Sequence, residues 1–409
     1  MDLEEFETEA VAFLDAHAAR RAAGGQAWGE GSDRVGLFEE KTRAQEQAEV
    51  AAAQAWRRKV FDAGFGWLTG PARYGGRDLP AEYERRWQVL QGRYDLPPAT
   101  VFTIGLGMVA PTILAHGTEA ARDRYLRGLY RGDVVACQLF SEPGAGSDLA
   151  SLQTKAERDG DVWIINGQKV WTSGAQYSDI GEIICRTDPL VAKHKGLTGF
   201  LVDMRAPGVE VRPLRQMTGG ASFNEVFFTD VEVADDHRLG DVNAGWGVAL
   251  TTLMNERAAI GGGTAGGSTF GVGQLISLLR HLGASDDPLL RQELADIWIH
   301  IHVARFTNLR AMEKLAAGQI PGPELSIAKL ALTDNLQRIA HFLSSALGPR
   351  LIADTGEWGT YAWAELVLGV PGFRVAGGTD EVLRNIIGER VLGLPKEPRV
   401  PSGSAGASG

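Results

Sequence analysis

The sequence predicts an α+β multidomain protein: an N-terminal all-α domain over 1–132, a middle β-domain over 133–241 and a C-terminal four-helix bundle over 242–395. Three observations predict it. Apolar residues recur at three and four in the first third, as in Leu3, Phe6, Ala10, Phe13 and Leu14. Short alternating runs replace them from about Asp133 to Asp241, and helical periods return from Trp246 to Leu392.

Pro and Gly clusters separate the helical segments up to about Leu129, and the polar, Gly-rich stretch 21–46 reads as a loop or short irregular excursion. In the middle third, Val162-Trp163-Ile164-Ile165 before Asn166-Gly167 reads as a strand entering a hairpin, and Gly199 to Asp203 as a further strand. Leu275, Ile276, Leu278, Leu279 and Leu282, then Ile297, Ile301 and Ala304, then Leu325, Ala328, Leu332 and Leu336 mark helices. Four such segments suggest the bundle. Residues 396–409, ending in Ser402-Gly403-Ser404-Ala405-Gly406, are expected to form a disordered tail.

Composition sets the outer bounds. At 409 residues with 44% hydrophobic content, the chain can bury a large core. A net charge of −10, with no basic run or face, argues against nucleic acid or an anionic membrane as partner. Two cysteines, Cys137 and Cys185, make a disulfide framework implausible and a reducing compartment the default. Met1-Asp2-Leu3-Glu4-Glu5 is acidic where a targeting peptide is basic, and no run approaches the ~18 apolar residues of a membrane span. A cytoplasmic protein is expected.

The most specific signals are Ser141-Glu142-Pro143-Gly144-Ala145-Gly146-Ser147-Asp148 and Asn166-Gly167-Gln168-Lys169-Val170-Trp171-Thr172-Ser173. Each alone reads as a turn or strand motif; together, in this order and spacing, they resemble the flavin and thioester floor of an acyl-CoA dehydrogenase. The resemblance extends along nearly the whole chain. Gly66-Trp67-Leu68, Tyr74-Gly75-Gly76 and His116-Gly117-Thr118-Glu119 precede the pair. Leu253-Met254-Asn255-Glu256-Arg257, Ser326 to Leu330, Gly377-Gly378-Thr379-Asp380-Glu381 and Asn385 to Pro395 follow it in the family's order.

That resemblance implies FAD, an acyl-CoA substrate, an electron-transfer flavoprotein as electron acceptor, and a homo-oligomer (dimer or tetramer) or heterotetramer. Desaturating a thioester between Cα and Cβ needs a carboxylate for the α-proton, hydrogen bonds to the carbonyl oxygen and a flavin N5 for the β-hydride. Most of the family carries that carboxylate as a Glu before the Gly-Thr of the C-terminal motif; here the position is Gly377. A minority, resembling isovaleryl-CoA and long-chain acyl-CoA dehydrogenases, carries it on a helix directly before an Arg, as Glu256-Arg257 stands here. Without the family, Glu256 is an ordinary helix carboxylate, and its apolar neighbours Val248, Leu250, Leu253 and Met254 are what suggest a desolvated one. The resemblance gives Arg257 as nearby electrostatic support and substrate contact.

Phe140, Ser141, Trp171 and Ser173 are implied at the flavin ring, and Thr379 with Glu381 near the ribityl and diphosphate. Thr379-Asp380 equally suits a helix N-cap, and a helix N-terminus is itself a diphosphate site. Ser147 is the candidate hydroxyl on the CoA side, or the closure of a turn. Two segments depart from the family: Leu279-Arg280-His281-Leu282-Gly283, with Arg280 one place out of register, and Ser345 to Leu351, so cross-subunit flavin contacts from Arg280 or Ser345 are not assigned.

Two patterns read as decoys. Gly261 to Gly266 fits G-x-G-x-x-G but follows a helical period rather than a strand, and His300-Ile301-His302 lacks metal-ligand spacing. Two alternatives to the dehydrogenase reading stay open. One is a non-catalytic partner subunit, which Gly377 would suit; the other is a flavin monooxygenase or oxidase on the same fold.

Overall fold

The structure, a computed structural model, describes residues 2–21, 28–35, 41–261, 271–316 and 325–396. It divides into two compact units, 1–259 with 347–369 and 260–346 with 370–409. Each is described by itself.

In the first unit, helices α1 (Leu3–His17), α2 (Arg43–Asp62), α3 (Ala81–Gln91), α4 (Ala110–His116) and α5 (Glu119–Arg131) precede the sheet, and β1 (Ala19–Arg20) pairs with β2 (Tyr94–Asp95). Local chemistry fixes their starts. The Asp2 carboxylate accepts from Glu5 N, Thr42 and Gln45 form a reciprocal capping box, and Thr118 accepts from Ala121 N. That capping box starts α2 at Arg43, inside the stretch 21–46 expected as loop; of that stretch, 22–27 and 36–40 lie outside the described residues. Phe6, Ala10 and Leu14 bury one stripe of α1 beside Tyr83, Trp87 and Leu90 of α3, with Phe65 stacked on Trp87 at 4.7 Å. A π-turn, Gly105–Val109, leads directly into α4.

The middle strands are β3 (Ala136–Leu139), β4 (Lys155–Asp159), β5 (Val162–Ser173), β6 (Ile180–Arg186), β7 (Leu197–Asp203), β8 (Val209–Leu214), β9 (Phe223–Ala234) and β10 (Arg238–Leu239). They form one sheet in the order β10-β7-β6-β4-β5-β9-β8, with β3 parallel to β6. Strand alternation sorts the side chains. Ala136, Phe140, Ile180, Ile184 and Leu201 pack with Val109, Ile113, Leu126 and Val248 from the helices; Cys137, Leu139, Ile183, Cys185 and Val202 pack on the opposite face. Both cysteines are free and buried, and burial pushes each thiol up to about 12.

The expected hairpin at Asn166-Gly167 is elsewhere. The chain turns between β4 and β5 at Gly160, φ +60°, and β5 runs on through Asn166-Gly167 with a register shift against β9. Asn166 exchanges hydrogen bonds with Asp230 across that shift. Gly167, at φ +154°, leaves room for Thr154, whose Oγ1 would lie 2.5 Å from an added Cβ. A bulge and a hairpin both favour Asn-Gly, which is why the dipeptide misleads.

Among the described residues six helices follow: α6 (Gly245–Gly261), α7 (Val272–His281), α8 (Pro288–Ala316), α9 (Leu325–Leu347), α10 (Trp363–Val375) and α11 (Asp380–Arg390). No helix among the described residues is long and apolar enough to cross a membrane. The tail expected at the C-terminus lies, from residue 397, outside the described residues.

Candidate active site

A buried ion pair builds the Ser141–Asp148 loop. Lys169 points inward from β5, fully out of solvent, and donates to Glu142 Oε1 at 2.9 Å and to the Phe140 carbonyl at 3.0 Å. The Glu142 carboxylate also accepts from Gln153 N at 2.6 Å and Thr154 N at 2.8 Å. Burial works to raise the Glu142 carboxyl, but the Lys169 ammonium and these donors outweigh it and hold it below its usual range. Burial pulls Lys169 down against the attraction of Glu142. One backbone bond, Val170 N to Ser141 O at 2.9 Å, then sets the loop beside β5.

The next residue is strained. The pairing of β5 with β9 slips between Lys169 and Thr172, and Trp171, at φ +61°, is left 61% exposed with its ring edge-on to Phe223 at 6.1 Å. A left-handed Trp costs about 1–2 kcal/mol. It is held there by its neighbours: Asn224, buried, donates to the Thr172 carbonyl at 3.0 Å and to Gln176 Oε1 at 2.6 Å. Thus Ser141, Trp171 and Ser173 lie at the C-terminal end of β5, with the indole exposed beside two small hydroxyl residues, while the Phe140 side chain is buried in the core. A flat, mostly apolar ring fits that end of the strand. Ser147 is exposed near the end of the loop, where Lys193 anchors Asp148 at 2.6 Å.

Glu256 is half-buried on α6; the side chain of Arg257 lies outside the described residues. The helix can start where it does because Gly245 has no Cβ, which would lie 2.7 Å from Thr198 Cα. One turn before Glu256, Thr252 is fully buried and donates to Glu182 Oε1 at 2.5 Å. Glu182 stands in the middle of β6 with no exposure, and burial, opposed only by that donor, pushes its carboxyl up to about 8. Sequence analysis missed Glu182, although a lone Glu inside the apolar run Ile180 to Cys185 is a signal in itself.

In the second unit the two C-terminal motifs meet. Asp380, almost fully buried, accepts from Lys329 Nζ and Thr333 Oγ1, both at 3.0 Å, and from Arg374 Nε at 2.9 Å. Lys329 also donates to the Gly378 carbonyl at 2.9 Å, so the Ser326–Leu330 motif secures the Gly377–Glu381 motif. Gly377 and Gly378 take φ +66° and +87°, and Thr379 then caps α11, its Oγ1 accepting from Val382 N at 3.1 Å. The hydroxyl keeps its own proton to donate. Glu381 is exposed between Arg374 and Arg384, at 3.7 and 3.6 Å.

Arg280 sits in the last turn of α7, and Ser345 Oγ donates to the His341 carbonyl within α9. His300 Nδ1 lies 2.9 Å from the Asp296 carbonyl while the His302 ring packs on Trp298 at 4.0 Å, so the two rings have separate partners. Beyond Gly261, the glycine run up to Gly266 lies outside the described residues.

Comparison with known proteins bears on the same segments. Models of the acyl-CoA dehydrogenase N-terminal, middle and C-terminal domains match residues 34–133, 137–231 and 243–392. The acyl-CoA dehydrogenase IpdE1 of Mycobacterium tuberculosis is 35% identical over 407 residues, 97% of this chain and 99% of its own length. The acyl-CoA dehydrogenase FadE34 of the same organism is 41% identical over 352 residues, 85% of this chain, and this chain spans only 48% of its length. Among solved structures, the Tcur3481-Tcur3483 steroid ACAD matches with a TM-score of 0.75 at 26% identity, covering 97% of this chain and all of that one. The ChsE4-ChsE5 complex from Mycobacterium tuberculosis matches with 0.71 at 26%, with the same coverage. Three consecutive domain models and a full-length relative place the chain: it belongs to the acyl-CoA dehydrogenase family, and is an FAD-dependent oxidoreductase of that family.

Proposed function

We propose that this chain desaturates an acyl-CoA thioester between Cα and Cβ, with Glu256 as the base, and that its electrons pass on to an electron-transfer flavoprotein. The observation that carries the assignment is a pair of opposites: α6 offers the half-buried carboxylate Glu256, while the alternative position, Gly377, has no side chain and a left-handed backbone. Bound FAD supplies the acceptor for the β-hydride at its N5. Glu256 takes the α-proton, and the electron pair of that Cα–H bond becomes the new Cα=Cβ bond. Trp171, Phe140, Ser141 and Ser173 cover and orient the ring. Thr379 and the N-terminus of α11 serve the ribityl and diphosphate end, with Glu381 nearby. Ser147 meets the CoA side, and Arg257 supports the developing charge.

A bulky acyl group is favoured, since one of the matched structures is that of a steroid ACAD. The two buried free cysteines support a reducing setting. Anaerobic mixing with a panel of linear, branched and steroid-borne acyl-CoA esters tests the proposal. Bleaching of the flavin by one class, and its loss in Glu256→Gln, is the expected result; no bleaching by any ester from the parent chain alone removes the reading as it stands.

A second reading has its own support: activity only within an assembly containing a related chain. Two of the matched structures are titled as pairs, and α8 carries an exposed apolar stripe of Trp298, Val303, Phe306 and Leu309. Silence of the single chain that ends on adding a related chain favours this reading.

A further inference from the structure

The Glu182–Thr252–Thr112 chain ties three elements together through groups that the reaction itself does not use. Thr252 Oγ1 lies 2.5 Å from Glu182 Oε1 and 2.9 Å from Thr112 Oγ1, and Thr112 Oγ1 lies 2.9 Å from the Met108 carbonyl. All three side chains have zero exposure. Around them the interface of β6 with α4 and α6 is apolar: Ile113, Ile180, Ile184, Leu201, Val248 and Ala249. An aliphatic residue at 182 would satisfy this interface better than a carboxyl does.

The surroundings of the carboxyl give it a state. Thr252 Oγ1 donates to Glu182 Oε1 and also lies 3.2 Å from the Val248 carbonyl, while Thr112 Oγ1 donates to the Met108 carbonyl. A carboxyl with no exposure, one hydroxyl donor and apolar neighbours is better accommodated as a neutral acid than as an anion. Ionised, the carboxylate would hold a single donor, and Oε2, which has no partner among the described residues, would carry unsatisfied negative charge. The interface would then have to open to hydrate it.

Four residues separate Thr252 from Glu256, one helical turn on the same face of α6. We propose that Glu182, acting through Thr252, is a positioning residue for the base: as a neutral acid it fixes α6 against the sheet and so fixes where Glu256 meets the α-carbon, and loss of its proton releases that grip. The proposal rests on Glu256 being the base. Burial that keeps Glu182 protonated to about pH 8 agrees with it.

The other titratable groups on the surrounding elements are placed differently. Cys137 on β3 and Cys185 on β6 face the opposite side of the sheet. Arg186 donates to the Ala150 carbonyl, and Lys155 on β4 pairs with Glu157. Asp203 is exposed at the end of β7, and His116 on α4 lies 2.8 Å from Thr251 Oγ1. The hydrogen-bond donor that acts on the Glu182 carboxyl is the Thr252 hydroxyl.

Four FAD-loaded variants test the inference: Glu182→Gln, Glu182→Leu, Thr252→Val and Glu256→Gln. Two readouts need no substrate: the infrared carbonyl stretch of a protonated carboxyl, and amide exchange of residues 248–256, corrected for intrinsic rate, at pH 7 and 9. The parent is expected to show the stretch at pH 7 and to lose it, together with α6 protection, at pH 9; Glu182→Gln lacks the stretch and keeps its protection at both. With the fastest ester of the panel, Glu182→Leu and Thr252→Val are expected to reduce flavin about 10–100-fold more slowly, as a base displaced by an ångström would. Their KM should stay within about twofold, and Glu182→Gln should lose the alkaline fall in rate. Absence of the stretch in the parent at pH 7, or parental α6 protection and rate in both Glu182→Leu and Thr252→Val, overturns the proposal. If Glu182→Leu does not fold, Thr252→Val and the pH comparison with Glu182→Gln decide. A parental rate in Glu256→Gln overturns the base assignment instead, and does so whatever the exchange data show.

Discussion

Lys169 and Glu142 meet at 2.9 Å inside the first unit, one from β5 and one from the loop after β3, with neither side chain open to more than a trace of solvent. Their bond and the Lys169 contact to the Phe140 carbonyl fix the loop that carries Ser141. Removing one partner of a buried pair leaves the other charge stranded, typically costing about 3–5 kcal/mol. Lys169→Met should therefore lower the denaturant midpoint by that equivalent and release FAD more readily. A midpoint within error of the parent would show that the pair does not hold the loop.

Trp171 combines a strained backbone with an exposed ring, and two substitutions separate these properties. Trp171→Ala keeps the left-handed backbone, whereas Trp171→Gly relieves a cost of about 1–2 kcal/mol, less the roughly 0.5–1 kcal/mol of glycine's extra chain entropy. The FAD-free glycine variant should be the more stable of the two. Both should retain FAD less well, by about 0.5–1.5 kcal/mol beyond the area lost. Flavin fluorescence on dilution and thermal melts of the FAD-free forms measure the two effects; equal retention by parent and variants would remove Trp171 from the ring site.

Glu182 makes stability depend on pH with a defined sign. Its folded value, about 8, lies above its usual 4.5, so between these values the native chain keeps a proton that the unfolded chain gives up. Stability from this group is greatest below the lower value and declines as pH rises through the window, by up to ~1.4 kcal/mol per unit. Glu182→Gln does not titrate, so its stability relative to the parent should rise from pH 5 to pH 8 and level off above. Parallel curves for the two proteins would mean that Glu182 is ionised at neutral pH.

Glu256→Gln should keep FAD and still bind an acyl-CoA, while flavin reduction slows by about 10²–10⁴-fold. The double change Glu256→Gly with Gly377→Glu should restore part of the rate. Full recovery is not expected, because Gly377 sits at φ +66°, where a side chain costs about 1–2 kcal/mol. Stopped-flow reduction of the three proteins by one ester measures both steps; a Glu256→Gln rate equal to the parent's would rule out this base.

Much of this molecule is local in origin and so was legible in sequence. The order of helices, strands and helices follows from periods of 3.6 and 2, which report which side of a segment meets the core. The cap at Thr379 is written in neighbouring residues, and the family motifs are contiguous strings whose order alone identifies the chain. What only the tertiary structure decided depends on pairing between distant segments. Asn166-Gly167 encodes a left-handed or bulged backbone, but whether it turns a hairpin or kinks a strand depends on β9, whose Asp230 it meets. Lys169 and Glu142 are 27 residues apart, and Glu182 and Thr252 are 70 apart. Each reads in sequence as one charged or polar residue among apolar ones; only the folded sheet removes the solvent around them, and burial is what turns the first pair into a clamp and the second into a neutral acid beneath the helix of Glu256.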